Sequence, residues 1–432
     1  MLKKKLLNLA KLIFPIHRSI TGEGNRNTLK LLKNINKEIK IKKIKTGQKV
    51  FDWTIPKEWK INSAFIIDPL GKKICDIKKN NLHIVSYSKP VNKTLNFKAL
   101  NKKLHSIPSL PNAIPYVTSY YKEDWGFCIA ENERKRLIKR GKYKVFIDSK
   151  IFNGELNYGE AFIKGKSKKE ILISSYICHP SMANNEISGP VVSSYILKYL
   201  KRKKNKFSYR FIFIPETIGS ITYLSKNYKN LKKNVIAAYN LSCIGDERNY
   251  SYLPSRSNIS VADIISTKVL KKKFPNFRSY TWYDRGSDER QFCSPGIDLP
   301  MVTLMRTKYG EYKEYHTSLD KIGTVVTSNG LLGGYKLVKN IIDELESKKY
   351  PIDIISKPLA LNKCEPFMTK RKLYPTTSKA NNSNYLKNYM DILTYSDGKH
   401  SLLYISEYCK ISIKQTISIA KKLTKMKMIK LN

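Results

Sequence analysis

The chain has 432 residues, with 81 Lys and Arg against 34 Asp and Glu and a formal net charge of +47. This length is too great for one ordinary core, and a hydrophobic fraction of 41% argues against a largely disordered chain. No apolar run approaches the roughly 20 residues that span a bilayer, so the sequence predicts no membrane span.

The positive charge does not by itself identify a partner. The excess is mostly Lys, spread along the chain together with abundant Ile, Asn and Tyr. An A/T-rich genome produces the same composition, and so does selection for an anionic partner such as nucleic acid. Both explanations remain open.

The first residues predict an amphipathic helix. Residues 1–7 begin like a secretory signal, but Lys11 interrupts the apolar segment and residues 15–18 offer no small-residue cleavage site. Cysteine usage agrees with a cytoplasmic location, because seven scattered cysteines without a CxxC pair favour neither disulfides nor a thiolate zinc site.

Residues 48–140 differ in texture from their surroundings. Short β-rich runs such as 61–67 and 83–87 alternate there with turn residues. We therefore expect a small β-rich domain over 48–140, inserted into a larger domain made of residues 1–47 and 141–352.

The larger domain alternates strand and helix signals, which predicts an α/β fold in which helices flank a mixed sheet. The predicted strands are 144–147, 170–177, 209–215, 235–241 and 301–305, and the predicted helices are 187–202, 218–230, 257–273 and 328–348.

The C-terminal part predicts a linker over 353–387 and a winged-helix domain over 388–432. Helices at 401–408 and 412–426 followed by a short strand are typical of that module. The second helix carries basic residues that could face DNA phosphates, although winged helices also contact proteins. These residues are Lys414, Lys421, Lys422 and Lys425.

The first chemically informative segment lies where a buried strand ends. His179 follows the apolar run 171–177, and Glu186 lies seven residues later, where a helix begins. Ligands bind outside the carboxyl ends of strands in α/β sheets, so a metal ligand or catalytic base is expected here. A pair that merely caps a loop is the alternative.

Further polar clusters follow other predicted strands. They are 213–220 with Glu216, 240–248 with Asp246, 285–292 with Asp288, and 312–320 with His316. Two histidines and several carboxylates from separate segments of one sheet edge suit a zinc-hydrolase site. Zinc lowers the pKa of its bound water to about 7, and a nearby Glu can take the proton.

This layout resembles the di-zinc aminopeptidase superfamily. It is more closely similar to a bacterial branch associated with polysaccharide biosynthesis, which joins an aminopeptidase-like domain, a small inserted domain and a C-terminal winged helix. The resemblance covers nearly the whole chain, and its strongest markers are residues 14–22, 115–121, 179–181 and 315–318.

The resemblance implies roles for three residues. His179 matches the first histidine ligand, His316 matches the last, and Glu216 matches the base that activates the metal-bound water. It therefore implies a zinc hydrolase.

Other ligand positions depart from the superfamily. Asn185 stands where the bridging Asp is expected, with Glu186 next to it as a replacement. Thr217 and Ser242 replace two further carboxylates. Because two divalent ions need several carboxylates to offset their charge, we expect a single Zn²⁺.

The predicted zinc ligands are His179, His316 and either Glu186 or Asn185. Two histidines and one oxygen ligand leave an open fourth position for water.

Four charged residues are candidates for supporting roles. Asp246 and Asp288 could orient the histidines from behind, or Asp288 could bind a substrate amine. Arg285 and Arg290 could bind a substrate carboxylate or phosphate, or pair with neighbouring acidic residues.

The sequence therefore predicts a cytoplasmic, zinc-dependent, aminopeptidase-like hydrolase. Its expected substrate is a peptide-like or amino-sugar small molecule, and the resemblance links it to glycan biosynthesis. The alternative is a catalytically degenerate peptidase-fold protein that acts through its winged helix on DNA or a protein partner. A homo-oligomer remains open.

Overall fold

A computed structural model describes residues 1–120, 122–347, 352–359 and 383–432, with backbone alone over 383–386. The helices are α1 (Leu2–Ile13), α2 (Glu23–Ile35), α3 (Phe97–Asn101), α4 (Glu131–Lys135), α5 (Ser188–Leu200), α6 (Ile218–Asn234), α7 (Val261–Lys273), α8 (Glu289–Phe292), α9 (Ser328–Glu346), α10 (Ser383–Tyr395), α11 (Leu402–Tyr408) and α12 (Ile413–Lys425). The strands are β1 (Lys40–Lys45), β2 (Lys49–Val50), β3 (Trp53–Thr54), β4 (Glu58–Ile67), β5 (Lys73–Ile74), β6 (Val91–Asn96), β7 (Leu104–His105), β8 (Phe127–Cys128), β9 (Lys142–Phe152), β10 (Glu155–Ile163), β11 (Glu170–Tyr176), β12 (Ser208–Ile214), β13 (Val235–Leu241), β14 (Ser251–Leu253), β15 (Arg278–Ser279), β16 (Met301–Met305), β17 (Ser356–Pro358) and β18 (Ile429–Leu431).

The chain folds into two units. The first contains Met1–Arg256 and Phe274–Lys339, and the second contains Ser257–Lys273 and Asn340–Asn432.

The first unit is built around an eight-stranded mixed sheet in the order β1-β10-β12-β11-β13-β16-β14-β15. The four central strands β12, β11, β13 and β16 are parallel, so their carboxyl ends meet at one edge. Every residue of β11 is buried, as expected for a parallel strand covered on both faces. The predicted α/β fold with a mixed sheet is confirmed, and four of its five predicted strands lie in this sheet.

The fifth predicted strand, 144–147, lies elsewhere. It is part of β9, which pairs with β4 and β6 in a separate four-stranded sheet in the order β5-β4-β9-β6. Burial alternates along most of β9, the pattern of a sheet with one covered face. The sheet of the inserted region therefore continues to Phe152, beyond the predicted boundary at 140.

Helix α5 packs directly on the sheet edge that carries the predicted site. A Cβ at Gly189 would lie 2.2 Å from the carbonyl oxygen of Leu241, the last residue of β13. Glycine at this position allows the backbones of α5 and β13 to approach closely. All four helices predicted for the larger domain are present, as α5, α6, α7 and α9. Helix α7 and the C-terminal part of α9, however, belong to the second unit.

The second unit contains the predicted winged helix. Helices α10, α11 and α12 enclose an apolar core, and β17 pairs antiparallel with β18. Residues 356–358, predicted as part of the linker, are therefore a strand of this unit, while 360–382 lie outside the described residues. Among the described helices, none has the length and apolar character needed to cross a membrane.

Candidate active site

Three predicted residues meet at the carboxyl edge of the parallel strands. His179 follows β11 and Glu216 follows β12, and His179 Nε2 lies 3.6 Å from Glu216 Oε2. The loop between β16 and α9 brings the His316 ring to 5.2 Å from the His179 ring, centroid to centroid. The His179 side chain is 7% exposed and that of Glu216 19%, so Glu216 is the more accessible to solvent.

Glu186 lies on the other side of the His179 ring. It belongs to a π-helical turn, Ala183–Ile187, and its Oε2 accepts a hydrogen bond of 2.8 Å from His179 Nδ1. Glu186 is fully buried, and its Oε1 has no hydrogen-bond partner among the described residues. The two carboxylates of Glu186 and Glu216 therefore face different nitrogens of one imidazole.

Asn185 and Ser242, two of the altered ligand positions, share a neutral hydrogen-bond network. Asn185 Nδ2 donates to the Tyr176 hydroxyl at 2.8 Å, and that hydroxyl lies 2.5 Å from Ser242 Oγ. Asn185 Oδ1 is buried without a partner among the described residues. Of these polar atoms, it alone remains available to a ligand.

Thr217, the third altered position, has a left-handed backbone conformation between β12 and α6. Its φ is 60°, a strained value for a β-branched residue. Its amide donates to Asp288 Oδ1 at 2.7 Å, and Ser220 Oγ donates to the same oxygen at 2.8 Å. Asp288 is fully buried, and burial with nearby Glu216 raises its pKa to about 8. It therefore stabilises the start of α6 through Oδ1, while its Oδ2 is buried without a partner among the described residues.

Asp246 is likewise an internal contact rather than a partner of either histidine. Its carboxylate accepts hydrogen bonds from Asn184 Nδ2 at 2.9 Å and from both the amide and the hydroxyl of Thr307, at 2.9 and 2.7 Å. It joins the π-helical turn to the segment after β16.

Asp320 holds the same turn from another direction. Its two carboxylate oxygens accept the backbone amides of Asn184 and Asn185 at 2.8 and 3.0 Å, and the Tyr312 hydroxyl donates at 3.0 Å. Burial raises its pKa to about 6. The sequence placed Asp320 in a polar cluster but gave no indication of this role.

His316 is held as a neutral ring. Its backbone φ is 55°, and its ring stacks on Tyr315 with centroids 3.9 Å apart. Burial, followed by the charge of His179, lowers its pKa to about 3. Its Nε2 has no partner among the described residues. A neutral imidazole with an unused ring nitrogen is suited to metal ligation.

Glu216 has the environment of a proton-transfer group. Ser287 Oγ donates to its Oε1 at 2.6 Å, and its own amide donates to Cys178 Sγ at 3.2 Å. Burial raises the pKa of its carboxyl group. A raised pKa improves a carboxylate as a base near neutral pH.

Cys178, His179 and Glu186 form a second, deeper group. Sγ, a ring nitrogen and a carboxylate oxygen lie within 4.8 Å of one another, and all three residues are buried. Burial raises the pKa of the Cys178 thiol to about 12, which favours its neutral form. The thiolate rather than the thiol binds metals, so this trio is less suited to a metal than the edge formed by His179, Glu216 and His316.

The inserted region contributes Tyr116 to the site. Pro115 forms a bridge with Thr317, and the Tyr116 amide donates to the His316 carbonyl at 2.9 Å. The Tyr116 ring centroid lies 5.0 Å from that of His179 and 5.5 Å from that of His316. In the sequence, residues 115–121 stand out only as a marker of the family resemblance.

Arg18 supports the site from the N-terminal segment. Its side chain is fully buried, and Nε donates to the His179 carbonyl at 3.1 Å while Nη1 donates to that of Ile13 at 2.7 Å. This contact fixes the backbone of His179, and it was also missed in the sequence.

Arg285 and Arg290 are exposed on the segment that supplies Ser287. Arg290 Nε donates to the Ser287 carbonyl at 3.2 Å, and its Nη2 lies 3.5 Å from Thr217 Oγ1. Arg285 donates to the Trp282 carbonyl at 3.0 Å. The structure thus places Arg290 beside the residue that follows Glu216.

A family model described as a domain of unknown function, DUF4910, matches residues 7–348. The chain belongs to the DUF4910 family. A winged helix-turn-helix model matches residues 357–431 of this DUF4910 protein, in agreement with the predicted winged helix.

A relative in Clostridium acetobutylicum is 39% identical over 431 residues, which is 99% of this chain and 96% of the relative. It is named a polysaccharide biosynthesis protein with an aminopeptidase-like domain. The predicted membership of this aminopeptidase-like group is thereby confirmed.

Solved structures support the fold. A crystal structure from Clostridium acetobutylicum, titled a peptidase, has a TM-score of 0.79 and 38% identity, and the match covers 100% of this chain and 97% of that one. A zinc aminopeptidase from Bacillus subtilis has a TM-score of 0.59 at 14% identity, covering 80% and 95%. The second similarity concerns the fold alone.

Proposed function

We propose that this DUF4910 protein is a zinc-dependent hydrolase of an amide bond. The observation that carries the proposal is that Glu216 and His316 both lie next to His179 at one sheet edge. Glu216 Oε2 is 3.6 Å from His179 Nε2, and the centroid of the His316 ring is 5.2 Å from that of the His179 ring. The peptidase and zinc aminopeptidase names of similar structures agree with this chemistry.

The donor set present suits one zinc ion. His179 Nε2 and the unpartnered Nε2 of His316 would supply nitrogen ligands, and Asn185 Oδ1, which has no hydrogen-bond partner among the described residues, would supply an oxygen ligand. Glu186 binds Nδ1 of His179, which is the orienting contact that histidine ligands of metals usually make. Of the two oxygen ligands that the sequence left open, we therefore favour Asn185.

A second ion does not fit the same edge. The side-chain Nδ2 of Asn185 and the hydroxyl of Ser242 are hydrogen-bonded to the Tyr176 hydroxyl. The backbone amide of Thr217 is hydrogen-bonded to Asp288. None of these three altered positions supplies negative charge, so the repulsion between two divalent ions would stay uncompensated.

When bound, zinc supplies Lewis acidity and lowers the pKa of water. Glu216 takes a proton from the attacking water, whose oxygen adds to the amide carbon. Glu216 then returns the proton to the nitrogen as the C–N bond breaks, so a carboxylate and an amine leave. Ser287 holds Oε1 of Glu216 and leaves Oε2 for this transfer.

The substrate class is proposed from the relative's name as well as from the site. A polysaccharide biosynthesis protein with an aminopeptidase-like domain points to a peptide-like or amino-sugar amide. The link is one of association, because a shared fold does not fix the substrate.

The Glu216→Gln variant tests the proposal. It keeps the size of the side chain but removes the base, so hydrolysis of peptide and N-acetyl amino-sugar amides should fall by about 10²-fold or more. Zinc content should stay unchanged. Arg202→Gln, an exposed residue just beyond α5, is the control and should retain activity. A fully active Glu216→Gln protein would contradict the proposed mechanism.

A second candidate function is ligand-dependent regulation through the winged helix. Two observations favour it: the neutral network of Asn185, Tyr176 and Ser242, and the exposed lysines of α12. These lysines are Lys414, Lys421, Lys422 and Lys425; Lys414, Lys421 and Lys425 are the three chosen for substitution.

DNA binding by this face is measurable in the full-length protein. Replacing the three lysines by Gln should lower affinity and reduce the magnitude of the slope of log K against log salt by about 3. An unchanged slope would assign any DNA binding to the general positive charge.

A further inference from the structure

The carboxylates around the proposed catalytic base are buried inside the protein. Glu186 is hydrogen-bonded to His179 through Oε2, and Asp288 to the Thr217 amide through Oδ1, while Glu186 Oε1 and Asp288 Oδ2 have no partner among the described residues. Glu289 accepts the Gly286 and Ser287 amides at 2.8 Å each and is fully buried. None of these three acids is exposed to receive the ammonium group of a substrate.

One exposed cation, Arg290, stands beside the base instead, and Arg285 lies exposed on the same segment of the chain. Arg290 is anchored through Nε to the Ser287 carbonyl, and the same Ser287 donates its hydroxyl to Glu216. Neither Arg290 nor Arg285 forms an ion pair within the described part of the chain, whereas Arg210 and Arg248 each do.

Hydrogen bonds place Arg290 close to the proposed base. Its Nε donates to the Ser287 carbonyl at 3.2 Å, and its Nη2 lies 3.5 Å from Oγ1 of Thr217, the residue that follows Glu216. The Ser287 hydroxyl in turn donates to Glu216 Oε1 at 2.6 Å. Arg290 therefore stands at the rim of the proposed site.

The chemistry of this rim favours an anion. A guanidinium binds carboxylate or phosphate with two parallel hydrogen bonds, and the net charge of +47 raises the local concentration of anions. A substrate ammonium next to Arg290 would instead be repelled.

We propose that the substrate carries a carboxylate or phosphate next to the scissile amide and that Arg290, assisted by Arg285, binds this anion. This inference rests on the amide hydrolysis proposed above. The site then selects an acidic amide rather than a peptide with a free amino terminus. Hydrolysis itself is unchanged: water adds to the carbonyl carbon, the C–N bond breaks and the nitrogen takes the proton.

The test measures anion binding to the full-length protein from its thermal stabilisation, since a ligand of the folded state raises the melting temperature. The probes are glutarate for a carboxylate and inorganic phosphate for a phosphate, each added at constant ionic strength to zinc-loaded and to zinc-free protein. We expect at least one probe to bind in both forms, and the probe that binds identifies the anion class.

Variants then locate the binding. Arg290→Gln should weaken the effective anion by about tenfold or more, with Arg285→Gln showing a smaller loss. Arg202→Gln also removes one positive charge, but at a distant position. Arg202 follows the C-terminal end of α5, a helix about 20 Å long whose N-terminal end adjoins the turn that carries Glu186. This variant should bind the anion like wild type. Equal binding by Arg290→Gln and wild type, or binding of neither probe, would overturn the proposal.

The zinc dependence separates this proposal from the proposed function. If the anion binds only when zinc is present and Arg290→Gln has no effect, the metal holds it and the arginine proposal fails. If the protein takes up no zinc yet loses anion binding in Arg290→Gln, the proposed hydrolysis fails while the anion site stands.

Discussion

The His179 ring separates two carboxylates with different tasks. Glu186 accepts from Nδ1 at 2.8 Å, whereas Glu216 lies 3.6 Å from Nε2. Their separation in the chain gave no sign of this arrangement, because both follow strands at the same sheet edge. Residue types and their positions after strands predicted that these residues would meet. Which ring nitrogen of His179 each carboxylate contacts depends on the π-helical turn that carries Glu186.

We predict that Glu186→Gln weakens zinc binding without abolishing it. The amide keeps a hydrogen bond to His179 but loses the negative charge that increases ligand basicity, so zinc affinity should fall by about 10- to 100-fold. Competition with a chromogenic chelator measures this affinity. If Glu186 were itself a metal ligand, Glu186→Gln would resemble His179→Ala, and our assignment would be wrong.

Asp288→Asn should make stability less sensitive to alkaline pH. The pKa of Asp288 is raised to about 8 in the folded protein and is about 3.9 when unfolded, so the folded state binds the extra proton. Stability is therefore lost as pH rises toward 8.

The expected difference is measurable by urea unfolding. Between pH 6 and pH 8 the wild type should lose about 2 kcal/mol more stability than Asp288→Asn. Parallel pH curves for the two proteins would show that Asp288 keeps an ordinary pKa. The amide preserves the acceptor for Thr217, so the fold of α6 should remain intact.

Elements, rather than single residues, position the site. The apolar runs of the four central strands predicted β11, β12, β13 and β16 and the edge where their loops meet. The β9 strand was assigned to the wrong sheet, because a short apolar run does not reveal which neighbour it pairs with. Tyr116 and Arg18 reach the site through hydrogen bonds to the carbonyls of His316 and His179, and these contacts depend on long-range packing.

Gly189→Ala tests the close approach of α5 to β13. The added Cβ would meet the carbonyl oxygen of Leu241 at 2.2 Å, and neither backbone can yield without moving the turn that carries Glu186. We expect a loss of roughly 1–3 kcal/mol in unfolding free energy together with weaker zinc binding.

Ser193→Ala is the matched control on the same helix. The Ser193 hydroxyl is buried without a hydrogen-bond partner in the described structure, so its removal should be neutral or slightly stabilising. A Gly189→Ala protein as stable as Ser193→Ala would show that the contact is looser than the structure indicates.

Across the whole molecule, the net charge of +47 must oppose compaction. Like charges repel one another at surface distances, and salt screens that repulsion. Composition gives this charge directly, although it does not distinguish a nucleic-acid partner from codon bias.

We therefore predict that the melting temperature rises with added sodium chloride up to about physiological ionic strength. Sucrose at equal osmolality is the control for effects unrelated to screening, and calorimetry measures both. A melting temperature that falls with salt would indicate that attractive ion pairs, such as Arg210 with Glu170, outweigh the general repulsion.

The central claim is a single zinc ion held by His179 and His316, and zinc content measures it most directly. Full-length protein purified without a histidine tag should contain about one zinc per chain after equilibration with zinc and removal of the excess. The ion should be lost in His179→Ala and in His316→Ala but retained in Ser193→Ala. A wild-type protein that retains no zinc, or one whose zinc survives both histidine substitutions, would contradict the account.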